Sequence, residues 1–124
     1  MLSGEKILIT GASGVVGLPI ASELAKSNEV WAIARFGAGV QAASVMNASS
    51  APRETLEAKG IRTRPVDLEK PDLRDVPDDF SYVLHLAHTR LGSEFQRAIQ
   101  VNAVGAGHVL RHCAKAKAAL VVSS

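Results

Sequence analysis

Apolar residues fall along this chain in short runs, and helical spacing fills much of what lies between them. Lys6–Thr10 (KILIT) is a β-branched, apolar run that stops at a glycine, the pattern of a strand entering a turn. Val16, Ile20 and Leu24 then recur every four residues, with Glu23 and Lys26 on the other face, and predict a helix over 15–27. Pro19 is tolerable there because it lies near the first turn, where backbone donors have few helical partners. Val30–Ala34 (VWAIA) predicts a second strand. Residues 36–52 are rich in Gly, Ala and Ser, carry no acidic residue, and read as a partly helical loop. A short helix over Glu54–Lys59 stops at Gly60. Arg62–Val66 predicts a third strand, Asp72–Val76 one helical turn, and Tyr82–Ala87 a fourth strand. A long helix lies within Leu91–Lys117, where Phe95, Ala98, Asn102, Gly105, Val109, Cys113 and Ala116 share one stripe. Leu120–Val122 begins a fifth strand.

Strands that alternate with helices and are mostly apolar throughout belong to a parallel sheet covered on both faces. The expected fold is α/β with three layers, and right-handed crossovers give strand order 3-2-1-4-5. With 124 residues the chain supports one domain, 1–124, around one core. A net charge of +2 with scattered Lys and Arg leaves no footprint for nucleic acid or membrane, and no apolar run is long enough to span a bilayer. The single cysteine, Cys113, excludes an internal disulfide. With no signal-peptide pattern at the start, this suggests the cytoplasm.

The stretch with most chemistry in it is Thr10–Gly17 (TGASGVVG). It leaves a strand and opens a helix, the context in which a glycine triplet argues for anion binding. Gly11 allows the sharp turn, Gly14 lets a pyrophosphate reach the backbone, and Gly17 permits close helix–strand packing. The N–H groups at the helix start, among them those of Val15 and Val16, face the anion, and Ser13 adds a hydroxyl donor.

The GxxGxxG spacing after Thr10 resembles the short-chain dehydrogenase/reductase superfamily. Later residues narrow the resemblance to its extended branch, the NAD-dependent epimerase/dehydratase family. Val66-Asp67-Leu68 is similar to that family's acidic segment, which meets the adenine amino group. His85-Leu86-Ala87 resembles its HxA segment beside the cofactor ribose. Val101-Asn102 with Gly105 resembles its VNxxG segment, and Val122-Ser123-Ser124 the end of its fifth strand. The resemblance runs the whole chain and implies a Rossmann-type fold, a dinucleotide cofactor, a small-molecule substrate and hydride transfer at a carbon bearing oxygen. It implies cofactor contacts from Gly11, Ser13, Gly14, Val15, Val16, Gly17, Asp67, Leu68 and Ala87, and His88, at the same strand end, is expected near the cofactor. It also implies a catalytic, substrate-orienting role for Ser124, with Ser123 as the fallback. A homodimer is left open.

Two departures matter. His88 stands where the family has Ala or Gly. The family's Tyr-x-x-x-Lys pair is missing: the only tyrosine is Tyr82, and Leu86 follows it four residues on. The family places that pair well beyond the fifth strand, so the 124 residues read as a truncated piece that binds cofactor without catalysing.

An acidic residue at the end of the second strand would hold the ribose 2′-hydroxyl of NAD. Here Ala34 and Arg35 occupy that place, and no Asp or Glu occurs between Val30 and Arg53. Arg35 can pair bidentately with a 2′-phosphate, which favours NADP over NAD. Other residues admit plainer readings. Asp67 could cap the turn that follows it, Asn102 could pin its helix, and His85 reads as a satisfied core histidine. His88 and Thr89 lie at a strand end, where ligands bind. His108 and His112 are one helical turn apart, but no carboxylate or cysteine joins them in a metal set. Lys115 and Lys117 suit the helix dipole. Two rival functions remain: a free-standing dinucleotide-binding or sensor module, and a degenerate fold with an empty pocket.

Overall fold

A computed structural model of the chain describes residues 2–36, 52–87 and 95–122. Its elements are β1 (Lys6–Thr10), α1 (Gly17–Leu24), β2 (Glu29–Ala34), α2 (Arg53–Ala58), β3 (Arg62–Pro65), β4 (Tyr82–His85), α3 (Phe95–Ile99), a π-helical turn (Gln100–Gly105), α4 (Ala106–His112) and β5 (Ala118–Val121). The five strands form one parallel sheet in the order β3-β2-β1-β4-β5. This is the Rossmann-type α/β fold that the alternation of strands and helices predicts.

Alternate residues of each central strand feed two cores. On one face Ile7, Ile9, Val30 and Ala32 are buried with Ala21 of α1 and Leu56 of α2. On the other Leu8, Trp31, Ile33 and Val83 are buried with Phe80 and with Val109 and Cys113 from the α4 end. Burial on both faces explains why β1 and β2 read as unbroken apolar runs. α2 begins and ends one residue earlier than expected, and its end is closed at Gly60, whose N–H bonds back to the Glu57 carbonyl while Ile61 N–H bonds to the Leu56 carbonyl.

The sheet departs from the expected boundaries in ways that follow from packing. α1 begins at Gly17, not at 15, and ends at Leu24. The predicted stripe is also displaced: Gly17 and Ala21 are buried, whereas Val16 is 66% and Ile20 36% exposed. Close approach to the sheet admits only small side chains, so the large apolar ones move to the rim. The long helix is broken by the π turn, and α4 ends at His112; Phe95 opens α3, and residues 91–94 lie outside the described residues. Ala98, Gly105, Val109 and Cys113 of the predicted stripe are buried all the same. Residues 72–76 form a turn, closed by Val76 N–H to the Leu73 carbonyl, and not a helix. β3 and β4 stop one and two residues short of the predicted ends, and β5 starts at Ala118, two residues early. Every residue of β5 is exposed, Leu120 by 56%. No helix of the described residues is long and apolar enough to cross a membrane.

Gly105 sits where the π turn crosses the loop after β3. A Cβ there would stand 2.6 Å from the Leu68 carbonyl oxygen, while one on Gly107 would meet nothing within 4 Å. Gly105→Ala is therefore expected to destabilise the fold by about 1–3 kcal/mol through overpacking. Gly107→Ala, two residues on in α4, should stabilise it by about 0.5–1 kcal/mol through helix propensity. Urea unfolding of the two variants checks the opposite signs.

Candidate functional site

Because all strands are parallel, their C-terminal ends share one edge of the sheet. The strand order reverses beside β1, whose neighbours are β2 and β4, and this opens a crevice above β1 and β4 where open α/β sheets bind ligands. The described segments leaving this edge are the loop 11–16 after β1, Arg35 after β2, Val66-Asp67-Leu68 after β3, and Leu86-Ala87 after β4.

The loop after β1 turns at Gly11, whose φ of +75° lies in the left-handed region. Gly11 is also pressed against the next strand exit: a Cβ would stand 2.9 Å from the Ala87 nitrogen. At Gly17 a Cβ would lie 2.2 Å from the Gly11 carbonyl oxygen. These two glycines are demanded by the fold itself. Gly14 is different. Its φ is not positive, and a Cβ would meet only the Gly11 carbonyl oxygen, at 3.4 Å. Packing within the fold therefore demands a glycine less at this position than at Gly11 or Gly17.

The start of α1 is electrically open. Its N-cap position, Val16, makes no side-chain cap, and no acidic residue stands in the first turn. The N–H groups of Ser13, Val15 and Val16 have no backbone acceptor among the described residues, while Leu18 N–H bonds to the Gly14 carbonyl. The Val15 side chain is 71% exposed beside them. Uncapped donors, a helix dipole and a glycine without a side chain in front of them are the features an anion cradle uses.

Arg35 is exposed and makes no hydrogen bond or ion pair among the described residues. It follows Ala34, whose carbonyl accepts the Val66 N–H at 2.8 Å, so Arg35 and Asp67 lie close along the same edge. Asp67 is exposed and does cap its turn: Oδ1 accepts the Glu69 N–H at 2.9 Å. The loop after β3 is tied down by α3, since Arg97 Nε donates to Glu69 Oε2 at 3.0 Å and Gln100 to the Glu69 carbonyl. Leu68 packs against the α4-side core. Asn102 lies in the π turn with its side chain half-buried. His88, Thr89, Ser123 and Ser124 lie outside the described residues.

Two histidines and the cysteine are placed more sharply than the sequence allowed. His108 is exposed. His112 Nε2 reaches the carbonyls of Val76 and Pro77 at 2.8 and 3.0 Å and so fastens α4 to the turn before β4. Burial, aided by Asp78, pushes the Cys113 thiol up to about 11, which makes it a core residue and not a nucleophile.

The residue that sequence reasoning undervalued is Thr10. It is fully buried at the end of β1, and its Oγ1 accepts the N–H of Leu86 and of Ala87, both at 3.1 Å. It also lies 2.9 Å from His85 Nδ1 on the paired strand. The signal in the sequence was a hydroxyl closing an apolar strand. The histidine expected to be a satisfied core residue is only half satisfied: Nε2 is buried and has no hydrogen-bond partner among the described residues. A buried polar group left unpaired costs about 1–3 kcal/mol.

A parallel doubly wound sheet with an open glycine cradle at its reversal point defines a Rossmann-type domain. The model of the NAD-dependent epimerase/dehydratase family matches residues 7–124, and the chain belongs to that family. Solved structures of similar fold include a UDP-glucuronic acid 4-epimerase from Bacillus cereus in complex with NAD (24% identity, 96% of this chain and 40% of that one, TM-score 0.69). A UDP-N-acetylglucosamine 4-epimerase from Methanobrevibacter ruminantium matches at 22% identity over 90% of this chain and 34% of that one, with a TM-score of 0.67. RhlG of Pseudomonas aeruginosa, in an NADP complex, matches at 20% identity over 92% and 46%, with a TM-score of 0.63. The chain thus spans less than half the length of these structures. No curated protein matches it.

Burial holds the His85 ring below its ordinary pKa of about 6.5. A base depressed in the folded state adds stability above its unfolded pKa and loses it as pH falls through the folded value. Urea midpoints are expected to drop between pH 7 and pH 5, and to drop less in His85→Asn, which has no proton to gain there.

Proposed function

We propose that residues 1–124 form the NAD(P)-binding domain of an extended short-chain dehydrogenase/reductase of epimerase, dehydratase or reductase type. The observation that carries this reading is the uncapped start of α1 behind Gly14, a glycine that packing demands less than Gly11 or Gly17. The N–H groups of Ser13, Val15 and Val16 would hold the pyrophosphate, with Gly11 and Gly17 shaping the loop. Arg35 would pair with the 2′-phosphate, so that NADP is favoured over NAD. Asp67 keeps Oδ2 free of any bond among the described residues and would meet the adenine amino group, with Leu68 beside it. Ala87 and His88 would border the nicotinamide ribose. Family membership and the NAD, NADP and NADPH complexes of similar folds support a nicotinamide dinucleotide.

The bound nicotinamide supplies hydride chemistry at a carbon bearing oxygen. This chain's own part is to bind and orient. Ser124 would orient the substrate, while the acid/base tyrosine and its lysine would come from residues beyond these 124. Tyr82 does not replace that tyrosine: it opens β4 at the opposite end of the strand and packs toward the α1 face. We place the protein in the cytosol, a reading supported by its one buried, free cysteine.

Fluorescence titration of the chain with NADPH and NADH tests the reading. NADPH is expected to bind more tightly. Gly14→Asp should abolish binding of both without lowering the unfolding midpoint. Arg35→Ala should weaken NADPH about tenfold, the loss of roughly one charge-assisted hydrogen bond, and leave NADH unchanged. A folded chain that binds neither nucleotide at millimolar concentration would refute the proposal.

A further inference from the structure

We infer that His85 is a positioning residue for the dinucleotide pocket: its unprotonated Nδ1 accepts the Thr10 hydroxyl proton and so turns the Thr10 oxygen toward the N–H groups of Leu86 and Ala87. The inference rests on the dinucleotide reading above and adds a residue to it.

The argument is one of donor and acceptor supply. A hydroxyl has one proton and two lone pairs. Thr10 Oγ1 takes the Leu86 and Ala87 N–H groups at 3.1 Å, the Leu86 N–H being shared with the Thr10 carbonyl at 3.2 Å. That occupies both lone pairs, and the remaining bond is the one Thr10 itself donates. The atom 2.9 Å away is His85 Nδ1, which therefore carries no proton. In the neutral ring the proton then sits on Nε2, the atom that has no hydrogen-bond partner among the described residues. Burial, which disfavours the charged ring, keeps it in this neutral form.

An apolar side chain would fill the same buried space without leaving Nε2 unpaired. What the imidazole adds is the Nδ1 acceptor. Its effect is felt where the turn after β1 meets the exit of β4. Ala87 N–H is held by Thr10, and the same nitrogen would lie 2.9 Å from a Cβ on Gly11. The Thr10–His85 pair thus fixes the spacing between the turn after β1 and the exit of β4, the two segments over which the dinucleotide would lie.

Four variants of the chain separate this role from simple core filling. In His85→Asn the amide oxygen stands where Nδ1 stood, and Thr10→Ser keeps the hydroxyl. His85→Gln moves the polar atoms toward Nε2, and Thr10→Val removes the hydroxyl. Fluorescence titration with NADPH is expected to leave His85→Asn and Thr10→Ser within about threefold of the parent, and to weaken His85→Gln and Thr10→Val about tenfold. His85→Asn and His85→Gln should lose similar thermal stability, so affinity and stability part company. Nitrogen-15 NMR of the histidine ring in the unaltered chain is expected to show Nδ1 unprotonated and Nε2 protonated, and needs no variant to fold. A protonated Nδ1, or His85→Gln binding NADPH like the parent, overturns the inference. If the parent chain itself binds no NADPH, the dinucleotide reading falls and the inference with it. If the parent binds and every His85 variant binds equally, only the inference falls.

Discussion

Where α1 crosses the end of β1, Gly17 comes so near Gly11 that no side chain fits between them, and Gly11 in turn presses on the backbone of Ala87. This three-way backbone contact sets the rest of the molecule. It brings the helix start onto the sheet edge, leaves Gly17 and Ala21 facing inward, and turns Val16 and Ile20 to the rim. It also joins the exits of β1 and β4 at the point where the strand order reverses. A site at that point inherits its geometry from packing that is in place before any ligand arrives.

Electrostatics completes what packing begins. The first turn of α1 has neither a cap nor an acidic side chain, so its donors and dipole stay unspent. Beneath them the buried Thr10 and His85 form a small polar knot between the ends of β1 and β4. Buried polar groups are costly unless paired, and Thr10 is fully paired while His85 is paired on one side only. Along the same edge Arg35 and Asp67 offer one cation and one anion, both exposed.

Much of this was legible in the sequence. Apolar runs located four of the five strands, β3 with its sequence RTRP being the polar exception, and the alternation of strands with helices pointed to the strand order. The glycine spacing located the turn from β1 into α1. Helix faces were harder to read. The four-residue recurrence of Val16, Ile20 and Leu24 pointed to a stripe that the close crossing at Gly17 rotates out of the core. The π turn at Gln100–Gly105 was invisible, because the stripe from Ala98 to Cys113 reads the same with or without it. The pairing of Thr10 with His85 joins residues 75 apart and depends on strand register, which periodicity does not specify. The roles expected of His88 and Ser124 fall on residues outside those the structure describes.

Amide chemical-shift mapping with NADPH tests the central claim most directly, because it reads each backbone N–H of the cradle separately. The account predicts the largest shifts at Ser13, Val15 and Val16, with smaller ones at Arg35, Asp67 and Ala87, and none in β5 or at the loop before β1. Shifts that spare 13–16, or that gather at the opposite edge of the sheet around Gly4 and Asn28, would contradict it.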